Sequence, residues 1–525
     1  MVLDGRRNQN HRLKNVKRIA RHTVLVFLPP LLSMMLLVGC SPAPAPEQQP
    51  NGARKVILFI GDGFGATQVS LAIQYARLVE HRELNIDAIM QDGNTGYSLT
   101  IPFGNIVTDS AAAATQMATG QLARNDMLGL DPDGYPLETI LEWADKRGLG
   151  TGLVTNMRIT HATPGGFALH QSSRYNSEPA LMDDLLQDGD VDVLLGGGAR
   201  ALAPAGSWVS EMLPGIPGDL DGESEREDAR YRVEDLEDMG YAVASDSSSL
   251  REAASGATKV LGLFSASAMP YVIDRQNLSV EGVPTLVEMT TAAIDVLSRH
   301  DEGFFMLVEG GSIDYTGHAN DAGAMLHEIL ELDEAVGVAL EFQKNNPDTL
   351  VIVTADHGTG GFAFTDGYFG PIPDQLLDSG VVYQPEWSYP TTEHLEILFR
   401  QSASYSYILE QAGLDPERLI EQVRTHTGLE MTLDEARAAL VRDKDGQSGT
   451  EDFRRYRDDP DDAASALLAH HLSRHSFVVW STGEHTSDPV PTYGRGPGAE
   501  KLRGIYPNTH VYSVMRESLE AGIDQ

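Results

Sequence analysis

Apolar residues fall into two recurring patterns along this chain. The first is a short, unbroken, β-branched run closed by glycine or a turn, at 56–60, 151–155, 191–195, 260–264, 304–308 and 349–354. Such runs suit strands buried on both faces and are too short for helices. The second is apolar spacing of three and four over 138–147, 285–299 and 319–343, which marks helices with one face on a core. Strands alternating with helices predict an α/β fold, a mostly parallel central sheet flanked by helices on both faces. No internal repeat interrupts the alternation.

Several runs end in chemistry. Lys55 to Ile60 leads into Gly61-Asp62-Gly63, and Phe304 to Val308 leads into Glu309, Asp314 and His318. Thr349 to Thr354 ends in Asp356-His357, and Ser476 to Trp480 leads to Glu484-His485. Carboxyl ends of parallel strands are where α/β proteins keep their sites. Carboxylate with imidazole, and no thiolate, suits catalytic zinc, and an all-oxygen set beside it suits magnesium. Ser110 stands where the loop Val107-Thr108-Asp109 turns into Ala111 to Ala114. Unpaired N–H groups and the helix dipole favour an anion or an alkoxide there. By itself Ser110 reads first as an ordinary N-cap. Only its company with the ligand-bearing strand ends favours a nucleophile.

In chain order the motifs are G-D-G-F-G, T-D-S-A-A-A-A-T, H-A-T-P, V-E-G-G-S-I-D-Y-T-G-H, T-A-D-H-G and G-E-H-T. From Lys55 to the C-terminus this pattern resembles the alkaline phosphatase family. The resemblance implies hydrolysis of phosphate monoesters to alcohol and inorganic phosphate, with broad specificity, through a phosphoserine at Ser110. It implies one zinc on Asp314, His318 and His485, a second on Asp62, Asp356 and His357, and a magnesium on Asp62, Thr163 and Glu309. Arg174, thirteen residues after His161, falls where the family keeps a phosphate-clamping arginine. A homodimer and a crown-like insertion are further family expectations.

Two positions near the site depart from part of the family. His161 stands where some members carry aspartate, and imidazole shifts the third site's preference toward zinc or cobalt. Tyr315 stands where some carry lysine or histidine, which removes a positive charge near the phosphate and is expected to speed product release. Two alternatives stand beside this reading. One is a phosphodiesterase, or a related phosphoryl- or sulfuryl-transfer enzyme, of the same superfamily; the other is a non-catalytic lipoprotein that binds phosphate or metal. Thr163, Glu309 and Arg174 together favour the monoesterase. His81, His170, His327, His470, His471 and His475 lie outside the motifs and read as ordinary hydrogen-bonding residues.

Residues 1–39 carry seven basic side chains against Asp4 and an apolar stretch from Thr23 to Val38, the make-up of a secretory signal. The stretch ends in Leu36-Leu37-Val38-Gly39-Cys40, which resembles a bacterial lipobox, and Cys40 is the only cysteine. A lipid on Cys40 would anchor the chain to a membrane, at the periplasmic face of an outer membrane or the cell surface. The alternative is ordinary cleavage a few residues later. Residues 40–54, rich in Pro and Ala, read as a tether, and 55–525 as the folded domain with insertions at about 205–250 and 363–475. Within the second, Asp443-Lys444-Asp445-Gly446 resembles a calcium loop without its full spacing.

The formal net charge is −37; loss of residues 1–39, which hold six net positive charges, takes it to −43. So acidic a surface repels nucleic acid. Six lysines remain after cleavage, and low lysine with excess carboxylate resembles salt-adapted proteins, in which counterions screen self-repulsion. Melting temperature and turnover are expected to rise from low to molar NaCl. Flat or falling profiles would leave the acidity an ordinary property of an exported protein.

Overall fold

A strand made wholly of apolar residues must be covered on both faces, and the central sheet meets that need. The computed structural model describes residues 52–187, 191–277, 280–368, 372–442 and 459–524. The segment read as a secretory signal, Cys40, most of the segment read as a tether and the Asp443-Lys444-Asp445-Gly446 segment lie outside them. Ten strands form one sheet in the order β16-β2-β15-β8-β1-β7-β3-β4-β6-β5. They are β1 (Lys55–Gly61), β2 (Thr95–Leu99), β3 (Gly150–Arg158), β4 (Val193–Gly197), β5 (Ala242–Ala244), β6 (Val260–Leu263), β7 (Phe304–Gly310), β8 (Thr349–Ala355), β15 (Val490–Arg495) and β16 (Gly504–Pro507). Only β15 runs against its neighbours. The α/β sheet expected from the hydrophobic pattern is therefore the one observed.

Alternation along each central strand divides the core in two. Ile57, Phe59, Phe304, Met306, Val308, Val351 and Val353 pack on one face of the sheet. Val56, Leu58, Ile60, Phe305, Leu307, Leu350 and Ile352 pack on the other. A third, smaller apolar cluster around Ile408, Leu419, Val423, Leu468 and Leu472 lies within the span 363–475. Asp321 joins that cluster to the sheet layer. It caps the helix Ala322–Asn345 through Ala324 N–H and accepts from Tyr405 N–H at 2.7 Å and from Gln401 Nε2 at 2.7 Å.

Two stretches settle differently from their sequence pattern. The run 476–480 does not enter the central sheet. Its β13 (Val478–Trp480) pairs instead with β10 (Phe362–Phe364) in a two-stranded sheet, which suits a strand whose middle residue, Val479, faces solvent. Within 205–250, Ala242–Ala244 forms the edge strand of the central sheet beside β6. Three small residues make too short a run for periodicity to reveal.

Register brings the site together. Gly61 lies opposite both Gly310 and Ala355, and Ile60 and Thr155 both lie opposite or beside Glu309. Asp62, Glu309 and Asp356 therefore emerge at one edge of the sheet. The helix Ser110–Thr119, buried along its whole length, packs on the helix Ala162–Ala168. A Cβ at Gly166 would stand 2.7 Å from Ala114 Cβ and 2.9 Å from Thr115 N, so only glycine permits that approach.

The helix Ser312–His318 is fixed by a buried polar strut. Asn156 Oδ1 accepts from the N–H groups of Gly311 (2.7 Å) and Ser312 (3.2 Å). Its Nδ2 donates to Glu328 Oε2 at 3.1 Å, and Glu328 Oε1 accepts from Val272 N–H at 2.7 Å. Glu328 thus decides which way the Asn156 amide faces. Burial, with the Glu331 charge behind it, pushes the Glu328 carboxyl up to about 8. A folded-state value above the unfolded one means the folded chain binds the extra proton, so the associated stability is full at acid pH. It drains as pH rises from about 4.5 to about 8 and then levels off, at roughly 1.4 kcal/mol per pH unit. Glu328→Gln removes this contribution, so urea unfolding from pH 5 to 9 should show the variant gaining on the parent across that window. Parallel profiles would contradict it.

Candidate active site

Ser110 is the first residue of its helix, because Asp109 takes the cap: Asp109 Oδ1 accepts from Ala112 N–H at 2.9 Å. The serine hydroxyl is therefore not spent on capping. It is buried, with Oγ 3.2 Å from His357 Nε2. Asp109 Oδ2 accepts from Arg174 Nη1 at 3.3 Å, and Arg174 Nη2 stands 3.2 Å from His161 Nε2. A cavity of about 580 Å³ opens over Ser110, Arg174, His161, Tyr315, His318 and His485.

Three groups of side chains could each hold a metal ion: Asp314 with His318 and His485, Asp62 with Asp356 and His357, and Asp62 with His161 and Glu309. Hydrogen bonds outside these groups set the imidazole tautomers. His318 Nδ1 faces Gly483 O at 2.6 Å, and His485 Nδ1 faces Thr108 O at 3.0 Å. A carbonyl only accepts, so both Nδ1 atoms carry protons. The two Nε2 lone pairs then face each other at 3.2 Å, with Asp314 Oδ2 3.2 Å from that of His318. Thr359 spends its O–H on Asp314 Oδ1 and so accepts from His357 Nδ1 at 3.2 Å. His357 Nε2 is left as a bare lone pair, 3.1 Å from Asp356 Oδ2 and 3.4 Å from Asp62 Oδ1. This is the outer-shell pattern that orients metal-binding imidazoles.

The residues present fit cations. Asp62 Oδ1, Asp356 Oδ2 and Glu309 Oε1 are buried with no hydrogen-bond partner among the described residues. All three belong to these groups. Burial, then the charges of Asp356, Asp314 and Glu309, holds the Asp62 carboxyl well above its ordinary range. Burial opposes the charge on Asp314 as well, but His318, His485 and His357 outweigh it and hold that carboxyl well below. Burial and the neighbouring His357 push His485 down to about 3, which keeps that imidazole a neutral donor.

His161, expected beside the third site, stands within it, with Nδ1 3.5 Å from Glu309 Oε1. Arginine only donates, so His161 Nε2 accepts from Arg174 and the ring proton sits on Nδ1, toward Glu309. Thr163 Oγ1 donates to Asp62 Oδ2 at 3.4 Å. Every residue marked in the sequence as a site residue lies in this cluster or at its cavity. Sequence reasoning missed Thr155, which donates to Glu309 Oε2, and Thr359, Asn156 and Arg158. No spacing signal distinguishes these from strand or turn residues. Of the remaining histidines, His170 meets Leu137 O at 2.8 Å and His327 meets Phe399 O at 2.9 Å, the ordinary roles expected of them.

The alkaline phosphatase family model matches residues 53–521. Alkaline phosphatase 3 of Bacillus subtilis is 29% identical over 506 residues, covering 93% of this chain and 94% of that one. Streptomycin-6-phosphate phosphatase of Streptomyces griseus is 33% identical over 532 residues, covering 93% and 96%. Among solved structures, the Thermus thermophilus alkaline phosphatase superposes with a TM-score of 0.72 at 28% identity, covering 93% of this chain and 96% of that one. A family model that matches nearly the whole folded span makes this chain a hydrolase of the alkaline phosphatase family.

Proposed function

We propose that this chain hydrolyses phosphate monoesters to alcohol and inorganic phosphate with Ser110 as nucleophile. The observation that carries the reading is the Ser110 hydroxyl at a helix start, left out of the cap by Asp109, 3.2 Å from His357 Nε2 and beside Arg174 in the cavity. The helix dipole and the first-turn N–H groups favour negative charge at that oxygen. Arg174, braced by Asp109, offers a planar fork to two non-bridging phosphate oxygens, a geometry lysine cannot copy. As Ser110 Oγ bonds to phosphorus, the alcohol leaves; water then cleaves the phosphoserine and releases phosphate. A site that grips the phosphoryl group alone would accept many alcohols, the broad specificity that the family resemblance implies.

Asp314, His318 and His485 would hold one zinc, and Asp62, Asp356 and His357 a second. Asp62, Thr163 and Glu309 would hold magnesium, with zinc or cobalt favoured if His161 turns a lone pair inward. Such cations supply neutralisation of the buried carboxylates and Lewis-acid stabilisation of the attacking and departing oxygens. Fast cleavage of p-nitrophenyl phosphate, abolished by EDTA, restored by zinc and cut by at least about a thousandfold in Ser110→Ala, is the expected outcome. Preference for bis-p-nitrophenyl phosphate, or no turnover by zinc-loaded protein, would overturn the reading.

Cys40, outside the described residues, is proposed as the lipid attachment point that holds the enzyme at an exported membrane face. The support is the lipobox-like Leu36 to Cys40 and the absence of any other cysteine from the sequence. Labelled palmitate should enter the parent in a bacterial host and not Cys40→Ser. Equal labelling of both, or of neither, counts against the anchor. A homodimer, the family expectation, is proposed on the resemblance alone.

A further inference from the structure

We propose that Arg158 is a second anion-binding guanidinium of the pocket, aimed by Glu178, and that it sets affinity for the phosphate dianion. This rests on the phosphatase reading above and names a residue that the sequence motifs do not mark.

Arg158 ends β3, and its side chain lines the same cavity as Ser110 and Arg174. One partner fixes it. Its Nε donates to Glu178 Oε1 at 2.8 Å, while the other oxygen of Glu178 is taken by the Thr160 hydroxyl. Both oxygens of Glu178 are thus engaged. Tyr315 lines the same cavity. Arginine carries five N–H donors, and the bond through Nε leaves the outer ones available to the cavity. Burial works against the charge, but Glu178 and Tyr315 more than offset it, so the guanidinium stays protonated.

The arrangement changes the meaning of Tyr315. A tyrosine in place of a lysine there does not leave the pocket short of positive charge, because Arg158 from β3 lines the same cavity. A fork pinned at its Nε keeps its outer edge oriented, which a flexible lysine does not. Such a residue contacts phosphate alike in the substrate and in the product. It should therefore act on binding more than on the chemical step.

The test measures binding of inorganic phosphate by calorimetry to zinc-loaded Ser110→Ala, with and without Arg158→Met. The dissociation constant should weaken about tenfold, the worth of one charge-assisted bond. Arg158→Lys should recover part of that loss, and Glu178→Gln should weaken binding by a smaller factor. In the enzyme with Ser110 intact, Arg158→Met should raise KM for p-nitrophenyl phosphate and Ki for phosphate together, by more than it lowers kcat. Zinc content and melting temperature are read alongside. If Arg158→Met does not fold, Arg158→Lys and Glu178→Gln decide the matter. Unchanged phosphate affinity in folded, zinc-replete variants overturns the proposal. If the parent enzyme turns over no monoester, the parent reading fails, while the calorimetric arm still judges Arg158.

Discussion

Four carboxylates gathered at one edge of the sheet, Asp62, Glu309, Asp314 and Asp356, are 0–4% exposed, and the rest of the structure answers to that fact. Burying charges without compensation costs several kcal/mol per ion. Within the chain, compensation is partial. Thr155, Thr359, and the N–H groups of Gly63 and His357 satisfy some oxygens, and others are left facing imidazole lone pairs. Without cations, protons have to serve in their place, which is why burial and its neighbours hold Asp62 so far above the ordinary carboxylate range. Metal dependence in this family is thus the complement of the fold. The register that lets the apolar strands pack also drives these acids together.

The central strands were legible because burial on both faces produces unbroken apolar runs, and because each ligand follows its strand within a few residues. Asp62 and Asp356 needed no tertiary knowledge to be placed at strand ends. The edges were not legible. β2 reads Thr-Gly-Tyr-Ser-Leu and β5 is three residues long, so neither carries a pattern that outweighs its turns. The Thr108-Asp109-Ser110 triplet offers three residues able to cap. Only the structure assigns the cap to Asp109 and leaves Ser110 its hydroxyl. Asn156 and Glu328 were invisible for a different reason. Their partners lie 56–172 residues away, and a buried amide among strand residues has no local signature.

His161 illustrates how one contact governs the chemistry of another. Its ring touches Arg174 through Nε2 and faces Glu309 through Nδ1. While Arg174 donates to it, the ring offers Glu309 a proton rather than a lone pair. Arg174 and the third candidate cation group therefore meet in a single imidazole, and substituting either neighbour changes the donor set presented to the other. Counting ligands from a motif misses this, because the motif records residue types and not which nitrogen carries the proton.

For the proposed phosphate substrate, a chain of net charge −37 sets two electrostatic problems at different distances. The acidic exterior acts over the Debye length, about 10 Å at 0.1 M salt, and opposes the approach of phosphate. Arg174 would act at hydrogen-bond range from a side chain only 14% exposed, where salt screens much less. Added salt therefore weakens the repulsion on approach while leaving the contacts at the end of it nearly intact. The same acidity that slows entry at low salt also opposes the return of released phosphate, so the surface and the pocket act on different steps of one cycle.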